Sequence, residues 1–492
     1  MTRVALVRLE YHLDDYDFAN EHIGIGYLTS VLRQNGINTK IFDNTLTSNR
    51  DLSEQIVEFS PDVIGYSSNC TNTQEVIEFS KSIPFTKKPV KIFGGPNATF
   101  SAKDLLEYED VDAIVLGEGE ITTLELIKAI EEGRNLSEVK GIAYREGENY
   151  IFTESRGALA NLDTLPTPAR DVLEASLKIG KQSVARVISS RGCYYNCNFC
   201  TTPAMRKINP GNIYRERDPV KVVNEIEELV NKYGIQFIYF NDDLYFSTLA
   251  KSRQRATRIA QELIRREVPV HYKIEIRSDS INPNEDQDFI KLLRNSGLYR
   301  VFVGMESGSK NMLDYLGKRI SVEDSKSFIK FMQTSGIKVN VGKILFGPHT
   351  TWDELRDSVN SFYELGLCSE LLRRPNKRLE AFPGTRITSQ LQQEGRLEDK
   401  VPYLHRNYSF KDSKIGEFDK VLALSFSKYF PLLREYFEKR AYSSVTDGLE
   451  SEVNNACFSF FMNNINLDVR WTLSAFDESV NRFIEDLGGI LK

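Results

Sequence analysis

Two long stretches of this chain alternate short apolar runs with amphipathic segments of helical period, and that alternation narrows the possible folds more than any other feature. In the first stretch, Arg3 to Arg8, Thr39 to Asp43, Asp62 to Ser67, Val90 to Phe93 and Ala113 to Leu116 read as strands, with helical patterns such as 27–35 and 74–83 between them. Strands that are apolar at nearly every position belong in a parallel sheet covered on both faces. In the second stretch, the segments 184–189, 237–240, 272–276, 301–303, 339–346 and 379–382 repeat the pattern around helices at 220–233 and 322–335. Six repeats predict a complete or partial parallel barrel, although the period alone does not separate a barrel from a second open sheet. From about residue 400 the pattern becomes helical and aromatic, clearest at 422–439 and 458–485. This part is expected to cap the barrel mouth, with Tyr429, Phe430, Tyr436 and Phe437 as core residues.

Between the two stretches, 139–144 and 150–153 read as a hairpin around Gly147-Glu148-Asn149, and Leu165-Pro-Thr-Pro-Ala-Arg170 reads as an extended linker. A chain of 492 residues exceeds what one core usually organises. The expected organisation is α/β: a doubly wound sheet over 1–135, hairpin and linker over 136–180, a barrel over 181–395 and a helical appendage over 396–492. Composition is that of an ordinary globular chain, with 41% hydrophobic and 27% charged residues. A net charge of -6 supplies no field for a phosphate backbone, which argues against a nucleic-acid partner. No signal-peptide pattern follows Met1 and no run of about 18 apolar residues occurs, so a cytoplasmic protein without a membrane partner is expected.

The loops after the first set of strands are rich in small residues: Ser67-Ser68-Asn69, Gly94-Gly95-Pro96-Asn97 and Gly117-Glu118-Gly119-Glu120. In a doubly wound sheet those strand ends form the ligand crevice, and glycine lets a ligand come close to the backbone. The alternative reading is that these glycines only terminate strands.

Six cysteines are too few for a disulfide framework, yet Cys193, Cys197 and Cys200 cluster while Cys70, Cys368 and Cys457 lie far apart. The segment Ser190-Arg191-Gly192-Cys193-Tyr194-Tyr195-Asn196-Cys197-Asn198-Phe199-Cys200 directly follows an apolar strand. Three thiolates from one loop can hold three irons of a cubane and leave the fourth open to an external ligand. Structural zinc would need a fourth donor, and the histidine closest in sequence is His271.

A CxxxCxxC loop with an aromatic residue before its third cysteine resembles the radical S-adenosylmethionine (SAM) superfamily. That resemblance implies a 4Fe-4S cluster on Cys193, Cys197 and Cys200, with SAM bound at the open iron and cleaved reductively to a 5'-deoxyadenosyl radical. It also implies SAM contacts from Phe199, from Asn241-Asp242-Asp243 after the second barrel strand, from Arg277, from Glu306 in Gly304-Met-Glu306-Ser-Gly-Ser309, and from Gly342 in Val341 to Pro348. Asn241-Asp242-Asp243 departs from the family's Gly-Gly-Glu-like segment. Phe382-Pro383-Gly384-Thr385 resembles the family's structural turn. His22 to Tyr27, with Gly24 and Gly26, and the loops Ser67-Ser68-Asn69, Gly94-Gly95-Pro96 and Gly117 to Glu120, resemble the Rossmann-like cobalamin-binding domain that precedes the barrel in cobalamin-dependent radical SAM enzymes. The Asp-x-His-x-x-Gly motif of a histidine-ligated cobalamin is absent: the histidines at 12, 22, 271, 349 and 405 do not fit it.

The resemblance implies a methyltransferase in which a substrate carbon radical takes a methyl group from methylcobalamin, acting on a small molecule or peptide. An electron donor such as flavodoxin or ferredoxin would serve it. Three other functions stay open: a cyclase or rearrangement enzyme without net methylation, a methylthiotransferase, and a non-catalytic corrinoid or iron-sulfur binding protein. The methylthiotransferase reading calls for more N-terminal cysteines than Cys70.

Overall fold

The computed structural model describes residues 2–10, 21–180, 184–372, 378–398, 407–442, 447–465 and 473–491. His12, His405 and residues 466–472 of the second predicted C-terminal helix lie outside the described residues.

The N-terminal sheet has seven strands: β1 (Arg3–Arg8), β2 (Asn38–Asp43), β3 (Val63–Ser67), β4 (Val90–Gly94), β5 (Ala113–Val115), β6 (Ile142–Glu146) and β7 (Asn149–Phe152), in the order β2-β1-β3-β4-β5-β6-β7. The first five are parallel. Alternate residues of β1 enter two cores. Ala5 and Val7 pack with Leu52, Ile56, Val76 and Ile77 from the helices on one face, and Val4 and Leu6 pack with Ile25, Leu32, Leu126 and Ile127 from those on the other. This double burial explains why the strands are legible as continuous apolar runs. The strand order reverses between β1 and β3, so the crevice of this sheet opens beyond Arg8 and Ser67.

The hairpin is not a piece of interdomain linker. β6 pairs antiparallel with β5, and β7 with β6, so the hairpin extends the N-terminal sheet and covers an edge that the parallel strands leave open.

The second sheet is parallel, in the order β14-β13-β12-β11-β8. Its strands are β8 (Ala185–Val187), β11 (Phe237–Phe240), β12 (His271–Ile276), β13 (Leu298–Glu306) and β14 (Lys338–Lys343), and a short antiparallel ribbon, β9 (Ser190–Gly192) with β10 (Tyr214–Glu216), branches off after β8. No ladder forms over the expected sixth strand at 379–382: Phe346 bridges Arg378 just before it, and Ala381 is an isolated bridge residue. The chain there runs into Pro383-Gly384, and Thr385 then caps the helix Arg386–Gln393. Gly384 has φ +80, and a Cβ there would lie 2.5 Å from the ring of Phe100 in the N-terminal unit.

The C-terminal helices Ser413–Leu424, Phe426–Tyr442, Asp447–Ile465 and Leu473–Ile490 share one hydrophobic core with the barrel. They pack on the helices Trp352–Glu364 and Cys368–Leu372 rather than forming an appendage with a core of its own. Tyr363 stacks on Phe458 at 4.1 Å, and Asn454 accepts from the Cys368 amide at 2.8 Å. Tyr429, Tyr436 and Phe437 are buried, as expected of core residues.

Phe460→Ala tests this shared core. Phe460 is buried and stacked on Phe483 at 4.6 Å, so its loss should cost about 3–5 kcal/mol. In a urea titration the barrel and the C-terminal helices should unfold together at a lower midpoint; a barrel transition that stays in place would refute the shared core.

Candidate functional site

The cysteine loop is held from several directions. Gly192 has φ +94, and a Cβ there would overlap the Ile213 carbonyl, so only glycine lets β9 lie against β10 immediately before Cys193. Within the loop the Cys200 amide donates to the Cys197 carbonyl at 3.3 Å, and Cys200 is the N-cap of the helix Thr201–Ile208. From outside, Asn198 donates to the Leu316 carbonyl through its amide at 2.8 Å and to Tyr315 through Nδ2 at 2.9 Å. The Ile387 amide closes the loop by donating to the Asn198 carbonyl at 3.2 Å.

All three thiols are half-buried. Burial pushes Cys193 up to about 11 and also raises Cys200, so these two thiols are protonated at neutral pH until a metal displaces their protons. Arg277 Nη1 stands 3.6 Å from Cys197 Sγ. Among the described residues no three His, Cys, Asp or Glu side chains converge on a single ion, and His271 begins β12, at the opposite end of the sheet from the loop. The donor set is therefore three thiols on one loop, which fits the three occupied corners of a cubane better than a tetrahedral zinc site.

The predicted SAM residues divide into two groups. Asp242 is turned inward and almost fully buried. It accepts from the Ser189 amide at 2.7 Å and from the hydroxyls of Ser189 and Ser190, so it holds the strand leading to the cysteines and is withdrawn from the ligand-facing set. Asp243 is committed as well, accepting from the Gly192 amide at 2.9 Å beside Cys193. Asn241 is exposed and accepts from Arg186 Nη1 at 2.6 Å.

Arg277 grips Asp279 through Nε and Nη2 at 2.9 Å each and lies 3.7 Å from the centre of the Tyr195 ring. Glu306, in the left-handed region at φ +66, pairs with Lys318 at 2.9 Å. Gly304 and Gly342 make room for this side chain: a Cβ on Gly304 would overlap its carboxylate, and one on Gly342 would lie 3.2 Å from it. Phe199 packs against the cluster that contains Met312, Leu316 and Ile344, with the Lys318 ammonium 6.0 Å from its ring. Sequence reasoning missed Lys318, Tyr195 and Asp279 as partners; only Asp279, two residues from Arg277, carried a local signal.

On the N-terminal side, Ser67, Asn69, Gly94, Gly95, Pro96, Gly117 and Gly119 all stand with accessible surface at the carboxyl ends of β3, β4 and β5. Gly95 has φ +100, and a Cβ there would lie 2.5 Å from the Ser68 carbonyl, so the β3 and β4 loops touch. Asn69 forms a turn, its Oδ1 accepting from the Thr71 and Asn72 amides. Gly24 lies in the first turn of the helix Ile23–Gln34.

Four predicted corrinoid contacts are used by the fold instead. Ser68 is fully buried against Thr73. Gly26 faces the linker, where a Cβ would lie 2.9 Å from the Ala169 carbonyl. Glu118 and Glu120 turn to Arg215 and Arg191 of the barrel, at 2.6 Å each.

His22 caps the helix Ile23–Gln34. Its Nδ1 accepts from the Ile25 amide at 3.2 Å, which leaves the proton on Nε2, 3.3 Å from Ser67 Oγ. The residue is exposed by surface area although protein atoms crowd around it. Burial, reinforced by the nearby Arg8, lowers its pKa to about 4, while Asp43 opposes the shift.

An unfolded histidine takes up a proton near pH 6.5, and folded His22 does so only near 4. The stability carried by neutral His22 is thus complete above the unfolded value and is lost as pH falls toward the folded one. The denaturation midpoint of His22→Gln should approach or overtake that of the parent as pH drops from about 7 to about 4.5; a constant gap would refute this. Arg277→Lys keeps the charge but loses the planar fork, and should weaken SAM binding to the reconstituted protein about tenfold in equilibrium dialysis. An unchanged isotherm would remove Arg277 from the SAM contacts.

Residues 187–362 match the model of the Radical SAM superfamily, and residues 15–127 match the B12 binding domain. An uncharacterized methyltransferase of Pyrococcus horikoshii is 27% identical over 373 residues, 74% of this chain and 77% of that protein. The hopanoid C-3 methylase of Methylococcus capsulatus is 28% identical over 69% of this chain and 63% of its own. The anaerobic magnesium-protoporphyrin IX monomethyl ester cyclase of Cereibacter sphaeroides is 27% identical over 68% of this chain, but the match spans only 55% of the cyclase. Among solved structures, the cobalamin-dependent radical enzyme OxsB with aqua-cobalamin and S-adenosylmethionine bound superposes with TM-score 0.73 at 17% identity, over 99% of this chain and 84% of that one. The radical methyltransferase TsrM from Kitasatospora setae gives 0.66 at 16%, over 100% and 99%. The two domain matches fall on the two units built above, the B12 match on the sheet with the glycine loops and the radical SAM match on the barrel that carries the cysteines. The chain therefore carries a B12 binding domain followed by a radical SAM domain.

Proposed function

We propose that the protein transfers a methyl group to an unactivated carbon of a small-molecule or peptide substrate. The observation that carries this reading is the meeting of two sets of strand ends. The β5 loop of the B12 binding domain touches the ribbon that leads into the cysteine loop, through Glu120 and Arg191 at 2.6 Å. A substrate held between the domains would reach both cofactors. When bound, the 4Fe-4S cluster supplies an electron to SAM and cobalamin supplies a transferable methyl group.

The chain's own side chains have separable tasks. Cys193, Cys197 and Cys200 would hold the cluster. Arg277 and Lys318 are buried cations beside it that can orient a carboxylate, Glu306 is the candidate for ribose hydroxyls, and Gly342 gives the Glu306 side chain its room between the fourth and fifth barrel strands. The β4 and β5 loops, whose glycines let Ser68 and Asn209 pack close against them, form the strand ends over which a corrin ring would lie. His22 offers this crevice an N–H rather than a lone pair, which suits a corrinoid bound without a histidine ligand. An electron donor of flavodoxin or ferredoxin type fits the need for reduction. An acidic surface charge speaks against nucleic acid as a partner, and no described helix is long and apolar enough to cross a membrane.

A second reading is favoured by the cyclase relatives: radical chemistry at the same site without net methylation. Anaerobic reconstitution with iron, sulfide and hydroxocobalamin, followed by removal of excess and visible spectroscopy, should give stoichiometric corrinoid beside the cluster. With a candidate substrate, deuterium-labelled SAM methyl groups should appear in the product. Bound corrinoid with an unlabelled, rearranged product would favour the second reading, and a cluster without corrinoid would end both.

A further inference from the structure

Glu118 and Glu120 pair with both strands of the ribbon that flanks the cysteine loop. Arg191 stands two residues before Cys193; its guanidinium reaches Glu120 at 2.6 Å and Glu118 at 3.7 Å, and lies 5.3 Å from the centre of the Tyr27 ring. Arg215, opposite Arg191 in the β9/β10 register, grips Glu118 through both Nη atoms at 2.9 and 2.6 Å. The four side chains keep between 8 and 20% of their surface. Burial alone would raise the Glu118 carboxyl, but the Arg215 hydrogen bonds and the two guanidinium charges hold it below the usual range.

The far side of the loop meets the same element. The helix that begins at Cys200 ends at Asn209, whose amide fills the space a Cβ on Gly117 would need; Gly117 has φ +74. The Gly117–Glu120 loop therefore touches the chain both before the first cluster cysteine and after the third.

A generic interdomain ion cluster is the competing account, and the molecule contains one for comparison. Arg170 of the linker pairs with Glu21 at 2.5 Å and Glu225 at 2.6 Å, deeply buried; this cluster holds the strand at Arg186 and, through Arg217, at Ile188, short of the ribbon and the cysteines. Docking is already served there. Buried charges contribute little net stability once desolvation is counted, while they fix geometry strongly.

We infer that Arg191 is a positioning residue and that the Gly117–Glu120 loop is a clamp coupling the crevice over the N-terminal sheet to the placement of Cys193, Cys197 and Cys200. Coupling between two sites is reciprocal, so whatever orders the β5 loop orders the cysteine loop, and the converse. The clamp stands on geometry alone; only its assignment to a corrinoid rests on the function proposed above.

Amide hydrogen exchange on the full-length, cofactor-free protein tests it. Arg191→Met and Glu120→Gln should each speed exchange about tenfold in both segments, 113–122 and 188–200, and the double variant should be little worse than either single one. Arg191→Lys should fall between parent and Arg191→Met. Glu21→Gln, at the other interdomain cluster, should speed exchange around 185–189 and leave 190–200 near the parent rate. Additive effects, each confined to the variant's own segment, would overturn the clamp. In a second arm, hydroxocobalamin should protect 113–122 and 188–200 in the parent but only 113–122 in Arg191→Met. Corrinoid binding that leaves 188–200 untouched in the parent would overturn the coupling. Failure to bind hydroxocobalamin would end the corrinoid assignment and leave the first arm to decide the clamp.

Discussion

Burying a charge is tolerable only when a partner is buried with it, and the relation between the two halves of this molecule follows from that constraint. Parallel sheets place their ligand loops at the carboxyl ends of the strands, which makes each half competent alone but says nothing about how the halves face one another. Here the facing is set by guanidinium-carboxylate contacts: Arg170 with Glu21 and Glu225 at the linker, and Arg191 and Arg215 with Glu118 and Glu120 at the site. Because each arginine is fixed to a strand or a linker turn, mismatched docking would strand a charge in the interface. The electrostatics thereby select one arrangement in which the cysteine loop lies against the glycine loops.

Residues beside the cysteines mostly serve to hold other residues. Asp242 fixes Ser189 and Ser190, Asp243 fixes Gly192, and Asn198 ties the loop to residues 315 and 316. Lys318 supports Glu306 in a backbone conformation that few non-glycine residues adopt, and Gly304 and Gly342 give that side chain its room. Such support is what keeps a reactive site within the tolerance its chemistry needs.

The parallel strands were legible in sequence because both faces are buried and their side chains are uniformly apolar. The cysteines were legible because ligand spacing is local. What sequence reading assigned wrongly has partners far away along the chain: Glu118 meets Arg215, Ser189 meets Asp242, and Gly26 meets Ala169. A strand-end carboxylate looks the same in sequence whether it faces a ligand or an arginine of the next domain. The sixth barrel strand was overread because 379–382 has the right apolar residues, while Pro383-Gly384 ends the segment before a ladder can form. The C-terminal helices showed their buried aromatics but not which surface they cover, since amphipathicity names a face and not its partner.

The core shared by the barrel and the last helices sets the order in which the molecule can be made. The N-terminal sheet closes its two cores with residues up to Ile151 and can fold while synthesis continues. The barrel core draws on residues as late as Leu487, so its packing waits until nearly the whole chain has left the ribosome. During that interval the cysteine loop has the finished Gly117–Glu120 loop to dock on, but no completed barrel behind it.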